Sequence, residues 1–313
     1  MKIIVTGGAG FLGSHLCEKL LELGNEVICI DNLLTGLEKN IAHLKNNPNF
    51  KFINHDASWG LPEGVEAEEI YHMASPASPN KDNPKSYIAF PFETMKVNTM
   101  GTMKLAEEAS KSGAKLLFAS TSEVYGDPLE HPQKETYKGN VSTTGPRSVY
   151  DEAKRFGETI ISAYVRSKGL DGRIIRIFNT YGERMADDGR VVIEFCKAAL
   201  ENKPLPIFGD GKQTRSFCYV SDLVDGIILA MEKGEKGEVY NLGNPNEFTI
   251  LELVEKVKQI TNSSSEPEFK EALPTDDPLQ RCPDITKAKE KLSWEPKVEL
   301  DEGLKKLIEY LKR

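Results

Sequence analysis

Apolar runs of strand length recur along the first part of the chain: KIIVTG at the start, EVICID ending at Asp31, KFINHD ending at Asp56, then EIYHMAS, KLLFAST and GRIIRIFN. Between several of them apolar residues return at i, i+3 and i+4, as in GSHLCEKLLELG and NTMGTMKLAEEASKSG, the period of a helix with one buried face. Strands separated in this way by helices lie parallel in one sheet with helices on both sides. The pattern therefore predicts an α/β protein with a Rossmann-type, doubly wound parallel sheet over residues 1–178. Beyond it the elements shorten, the loops become rich in Gly, Pro and Asp, and two late helical patterns fall near 249–261 and 301–313. These predict a smaller C-terminal α/β lobe made of 179–213 and 239–313, with 214–238 packing back on the first lobe as a strand and helix.

Composition narrows the class. A chain of 313 residues suits two lobes, since domains run ~100 to 200 residues. Hydrophobic residues at 39%, charged residues at 28% and a mean hydropathy of -0.41 fit a globular chain rather than a disordered or membrane one. No apolar run approaches the ~18 residues of a membrane span. MKIIVTGGAG enters a strand at once, without the apolar stretch and cleavage site of a signal peptide, so a cytoplasmic location is expected. The five cysteines, Cys17, Cys29, Cys196, Cys218 and Cys282, show no C-x-x-C spacing, so neither a disulfide framework nor a metal site is expected. A net charge of -8 weighs against nucleic acid as a partner.

The first chemical signal is VTGGAGFLGSHL, which sets Gly7, Gly10 and Gly13 between the first strand and the first helix. Glycines there let the backbone turn tightly and approach a pyrophosphate, whose charge meets the free N–H groups of the helix start. Asp31 ends the second strand, placed to accept hydrogen bonds from the adenine ribose. A 2'-phosphate would meet like charge at Asp31, and DNLLTG supplies no arginine to offset it, so NAD is favoured over NADP. Asp56 is placed either to contact the adenine amino group or to cap a turn. The second signal is Tyr150 and Lys154 in SVYDEAKR, four apart and so on one helical face. A phenol with a pKa near 10 is a poor base, and a neighbouring ammonium with a positive nicotinamide would favour its phenolate.

With these residues in view the chain resembles the extended short-chain dehydrogenase/reductase family, and within it the UDP-glucuronate decarboxylases. The narrower resemblance rests on HMASPASP, ASTSEVYGDP and LPTDDPLQRCPDITKAKEKLSWEPKVEL; RIFNTYGERM, DDGRVV and GDGKQTRSFCYVSDLV extend it over nearly the whole chain. The segment from Asn80 to Glu93 departs from the decarboxylase pattern and is expected near the sugar. The resemblance implies an NAD site lined by Gly7, Gly10, Phe11, Leu12, Gly13, Asp31, Asn32, Thr35, Gly36, Asp56, Ala57, Met73, Ser75, Ala119, Tyr150, Lys154 and Thr180. It implies Tyr150 as base, Lys154 as its orienting partner, and Thr121 as a hydrogen-bond partner of the sugar hydroxyl being oxidised. Glu123 and Arg281 would serve decarboxylation and reprotonation, while Asn179, Arg190, Arg215 and Arg281 would contact a UDP-sugar. A homodimer packed through the helices near 94–112 and 149–168 is implied as well.

The triplet Thr121-Ser122-Glu123 bears on the reaction. Related 4,6-dehydratases carry an aspartate where Ser122 stands, to protonate a departing C6 hydroxyl, and 4-epimerases usually lack the acid at Glu123. An aspartate at 122 would repel a uronate carboxylate by ~4 kcal/mol at about 4 Å and an effective dielectric of 20. The reading is NAD-dependent decarboxylation of UDP-glucuronate to UDP-xylose through a 4-keto intermediate, with the cofactor recycled. A UDP-uronate 4-epimerase, a nucleotide-sugar 4,6-dehydratase and a catalytically silent NAD-binding scaffold are the alternatives.

Overall fold

The strands are β1 (Lys2–Thr6), β2 (Glu26–Asp31), β3 (Phe50–Asn54), β4 (Glu69–His72), β5 (Lys115–Thr121), β6 (Gly172–Ile177), β7 (Thr180–Tyr181), β8 (Leu205–Phe208), β9 (Thr214–Ser216), β10 (Cys218–Tyr219), β11 (Val239–Leu242), β12 (Glu247–Thr249) and β13 (Pro267–Lys270). The helices are α1 (Phe11–Glu22), α2 (Pro91–Lys96), α3 (Thr102–Ser112), α4 (Ser148–Lys168), α5 (Val191–Leu200), α6 (Val220–Lys233), α7 (Ile250–Thr261) and α8 (Leu300–Leu311). This computed structural model describes residues 1–271 and 280–313; residues 273–279 of the C-terminal motif quoted above lie outside the described residues.

Seven strands form one sheet in the order β11-β6-β5-β4-β1-β2-β3, and every pairing in it is parallel. The pleat sorts consecutive apolar residues to opposite faces. Ile3, Val5, Val27 and Cys29 join one core with Leu16 and Leu20 of α1 and Ile227 of α6. Ile4, Ile28 and Ile30 join another with Leu105 and Ala109 of α3 and Ile161 of α4. Burial on both faces is why these strands read as continuous apolar runs rather than alternating ones. The strand order reverses between β1 and β4, which opens a crevice beyond their C-terminal ends, where an α/β sheet binds its ligand.

Two boundaries differ from expectation. Strand β3 stops at Asn54, because Asp56 instead accepts a hydrogen bond from Ser58 N and starts a short turn. Val239–Leu242, assigned above to the second lobe, is strand β11 and pairs with β6 as the edge of the main sheet. Its alternation is too short to reveal a partner.

The helix pattern near 94–112 is broken by a wide π-helical turn, Val97–Gly101, between α2 and α3. Asn98 explains its position: its Nδ2 donates to Thr94 O, one turn back in α2, and to Ser75 Oγ, just beyond the end of β4. The C-terminal elements form three two-stranded sheets, β10 with β7, β12 with β9 and β13 with β8. Helices α5, α7 and α8 bring Phe195, Val254 and Leu304 into the same core that holds Ile3. Asp222 of α6 secures the segment before α8, since its buried Oδ2 accepts from Lys297 N (2.8 Å) and Val298 N (2.7 Å). Asp222→Ala strands both N–H groups, and we expect a loss of roughly 3 kcal/mol, read as a lower urea midpoint at unchanged slope; an unshifted midpoint would refute this anchoring.

Candidate active site

The glycine loop closes over the switch point. Gly7 has φ +73°, and a Cβ there would lie 2.7 Å from Ala74 Cα, while a Cβ on Gly13 would collide with the Gly7 carbonyl oxygen. Only glycine lets the loop turn and the helix approach it at these two positions. Helix α1 begins after Gly10 with no side-chain cap, so the N–H groups at Phe11 and Leu12 are available to a phosphate. Asp31 accepts from Ala9 N (3.0 Å) and Leu33 N (2.8 Å), so it braces the loop as well as facing the cofactor side. Burial raises its pKa, and these two backbone bonds oppose that rise. Gly36 lies against its carboxylate, and Asn32 turns the following loop by accepting from Leu34 N. Thr35 lies between them in the chain. Asp56 shows the capping role, with Ala57 starting the turn it caps. Met73 N donates to Thr6 O, and Ser75 Oγ accepts from Asn98, so both follow β4 directly into the crevice. These residues fit a dinucleotide.

Thr121, Tyr150 and Lys154 come together above β5. Strand β5 ends at Thr121, and Tyr150 and Lys154 lie in the first turns of α4, all three buried. Thr121 and Tyr150 share a side-chain hydrogen bond. Lys154 Nζ donates to Ala119 O (2.7 Å) and lies 5.7 Å from the centre of the Tyr150 ring. Burial lowers the Lys154 ammonium to about 7, against the opposing charge of Glu158. Burial also pushes the Tyr150 phenol above its usual range; the bond from Thr121 acts in the other direction. The protein groups alone thus do not create the expected phenolate, because burial of the ring outweighs the opposing hydrogen bond from Thr121.

Glu123 is the anchor of the other half. One of its carboxylate oxygens accepts from Arg281 Nη1 (2.5 Å), and the other from Arg281 Nη2 (2.8 Å) and Arg147 Nη2 (2.6 Å). Burial opposes its ionisation, but Arg281 and Arg147 outweigh burial and hold its carboxyl at about 2. Ser122, also buried, opens the short turn that carries Glu123, and Thr121 Oγ1 caps that turn by accepting from Glu123 N.

Two residues of this site were not singled out by sequence reasoning. Arg147 immediately precedes the SVYDEAKR stretch, but nothing in its spacing announces a partner at 123. Tyr87, within the Asn80–Glu93 segment, stacks flat on Tyr150 with ring centres 4.8 Å apart and planes 6° apart. Its buried hydroxyl has no hydrogen-bond partner among the described residues. The remaining predicted contacts surround this centre. Arg190 precedes α5, pairs with Asp188 (2.9 Å), lies 5.9 Å from the centre of the Phe11 ring, and its charge reaches Tyr150. Asn179 accepts from Cys218 N through its carbonyl, and Thr180 Oγ1 donates to Phe178 O. Arg215 lies on β9, where Nη1 donates to Thr214 O.

A glycine loop at a switch point, with a Tyr–Lys pair on the helix that follows β5, defines a nicotinamide-dependent enzyme class acting at a hydroxyl-bearing carbon. The chain belongs to the NAD dependent epimerase/dehydratase family, whose description matches residues 3–243. It is 53% identical over 309 residues to UDP-glucuronic acid decarboxylase 1 of Arabidopsis thaliana, covering 98% of this chain and 69% of that protein. It is 49% identical over 315 residues to UDP-glucuronic acid decarboxylase 1 of Danio rerio, covering 100% of this chain and 73% of that protein. Among solved structures, UDP-glucuronic acid 4-epimerase from Bacillus cereus in complex with UDP-glucuronic acid and NAD is 32% identical. It superposes with a TM-score of 0.87, covering 100% of this chain and 99% of that one.

The low pKa of Glu123 sets a pH window. Its folded value near 2 lies below the ordinary carboxylate value of about 4.3. The stability it contributes is therefore complete above about pH 5 and lost as pH falls through 4 toward 2. We expect Glu123→Gln to unfold at lower urea than the wild type at pH 7, with the gap closing between pH 4 and 2. A gap that is constant with pH would refute the clamp.

Proposed function

We propose that this protein is a UDP-glucuronate decarboxylase that forms UDP-xylose through a 4-keto intermediate. The observation that carries this reading is the Glu123 carboxylate clamped by Arg281 and Arg147 next to Ser122. A glutamate already paired with two guanidiniums no longer presents unbalanced negative charge to a uronate, and Ser122 can donate a hydrogen bond where an aspartate would repel it. NAD held by the glycine loop and Asp31 would supply a reversible hydride acceptor for C4 of the sugar, with no net redox change. Tyr150 accepts the proton of the C4 hydroxyl, Thr121 holds that hydroxyl and the phenol in line, and Lys154, bonded to Ala119 O, holds the helix face that carries Tyr150 against β5. A ketone at C4 lies beta to the C6 carboxylate, and a beta-keto acid loses CO2 through an enolate that is then protonated at C5. Glu123 carries no proton at neutral pH, so it acts by aiming Arg281 and Arg147. Asn179, Arg190 and Arg215 are the proposed contacts to the UDP-sugar. The relatives named decarboxylase support this reading.

The similarity to UDP-glucuronic acid 4-epimerase keeps a second outcome in view. Incubation with UDP-glucuronate and no added reductant is expected to release one CO2 per turnover and give a pentose nucleotide by mass spectrometry. A product that retains the carboxylate would establish epimerisation instead, and no turnover with NAD still bound would establish a scaffold. UDP-galacturonate run in parallel identifies the preferred uronate. Tyr150→Phe is expected to keep NAD and lose roughly 10²- to 10⁴-fold in turnover.

The proposed partner is a second copy of this chain. Phe92 on α2, Met100 in the wide turn, Met103 on α3 and Phe156 on α4 are large apolar side chains exposed to solvent, and α2 and α3 both pack beside α4. Covering them in a homodimer removes that cost. A cytoplasmic location fits five cysteines that are all free; among the described residues no helix is long and apolar enough to cross a membrane. Sedimentation is expected to give a dimer, and Met103→Asp with Phe156→Asp a monomer; a wild-type monomer at micromolar concentration would overturn this face as an interface.

A further inference from the structure

Away from the active-site crevice, three side chains with different donor atoms converge. His131 comes from the loop after β5, Glu247 from β12 and Cys282 from the segment after Arg281. His131 Nε2 and Glu247 Oε2 are 2.8 Å apart, and the ligand atoms of all three residues lie within 4.8 Å of one another. Cys282 is buried, while His131 and Glu247 are partly open to solvent. We propose that His131, Glu247 and Cys282 form a binding site for a borderline-soft divalent cation of the Zn²⁺ class, with three protein ligands and a solvent-facing fourth position.

The donor set is the reason for that class. One imidazole, one carboxylate and one thiol suit Zn²⁺ and its neighbours, whereas Mg²⁺ and Ca²⁺ take oxygen ligands. A tetrahedral cation with bonds of about 2.0 to 2.3 Å sets its ligand atoms roughly 3.3 to 3.7 Å apart. Seating one requires His131 and Glu247 to part by about half an ångström and Cys282 Sγ to come inward by at most roughly 1.3 Å. Half-exposed side chains on two of the three make that a small change.

The surroundings are those of an oriented site rather than a chance ion pair. Thr214 Oγ1 donates to Glu247 Oε1 (2.7 Å), which turns Oε2 toward His131. Cys282 forms a side-chain hydrogen bond with Glu247, and its Sγ also reaches Pro245 O at 3.3 Å. Buried Gln133 ties the His131 loop to the Cys282 segment: its Oε1 accepts from Cys282 N, and its own N donates to Cys282 O, both at 2.9 Å. Such outer partners fix ligand direction. An exposed His–Glu pair needs none of this and contributes little to stability by itself. Sequence spacing could not reveal the site, because its ligands are separated by 116 positions (His131 to Glu247) and by a further 35 (247 to 282). The cation would fasten the backbone next to Arg281, whose guanidinium holds Glu123.

Cobalt provides a direct readout. Titration of the wild-type protein with Co²⁺ at pH 7.5 is expected to develop a thiolate-to-cobalt charge-transfer band that saturates at one equivalent and is displaced by Zn²⁺. Cys282→Ser is expected to abolish the band, and His131→Ala to weaken binding at least tenfold. Zn²⁺ is expected to raise the melting temperature of the wild type and not that of Cys282→Ser, since a cation that binds only the folded state stabilises it. Should Cys282→Ser fold poorly, His131→Ala at the partly exposed ligand carries the test. No saturable band in the wild type, or a band of equal affinity in His131→Ala, would overturn the site.

Discussion

The Glu123 clamp is the interaction on which the rest of the site depends. It joins the end of the central strand β5, the residue preceding helix α4 and a segment 158 positions away along the chain. Arg147 stands three residues before Tyr150, so the ion pair that neutralises Glu123 also fixes where α4 begins over the sheet. Buried ion pairs contribute little net stability compared with apolar packing, yet removing one partner leaves a stranded charge that is costly. Such a cluster specifies geometry more than it stabilises. Here the geometry it specifies is the distance between Tyr150 on α4 and the polar triplet that begins at the end of β5.

The sheet makes this placement possible. Parallel strands send all their C-terminal ends to one side, and the reversal between β1 and β4 leaves a gap there that helices cannot fill. Gly7 follows β1, Met73 follows β4 and Thr121 closes β5, so the glycine loop, the crevice wall and the Thr121 hydroxyl are set by neighbouring strands. The wide turn at Val97–Gly101 belongs to the same construction, since Asn98 uses it to reach Ser75 at the crevice edge.

Residues whose role is local were legible from sequence, and residues whose role depends on distant partners were not. The glycine spacing, Asp31, the strands β1, β2 and β5, and the Tyr150–Lys154 face all follow from periods of two, three or four positions. Glu123 was visible as an acid, but its state was not, because both guanidiniums arrive from elsewhere in the chain. Tyr87 was hidden for the same reason: a tyrosine in a polar loop gives no hint that it will lie flat on Tyr150. Strand β11 is too short for its pattern to indicate that it joins β6. Asp56 had two readings of equal weight, and the observed hydrogen bond to Ser58 N supports the capping one.

The dryness of the site explains why the Tyr–Lys pair needs its cofactor for more than hydride chemistry. Burial brings Lys154 to about 7 and pushes the Tyr150 phenol upward, so the protein alone favours the uncharged partners. The same low dielectric magnifies the field of any charge placed beside them. A positive ring next to Tyr150 therefore favours its phenolate more strongly than it would in water, and Thr121 is already hydrogen-bonded to receive that charge. Tyr87, buried and stacked flat on Tyr150, keeps water from that ring face and preserves that sensitivity. Under the proposed function, a Tyr150 held neutral until the oxidised cofactor lies beside it would be active only when oxidation can follow.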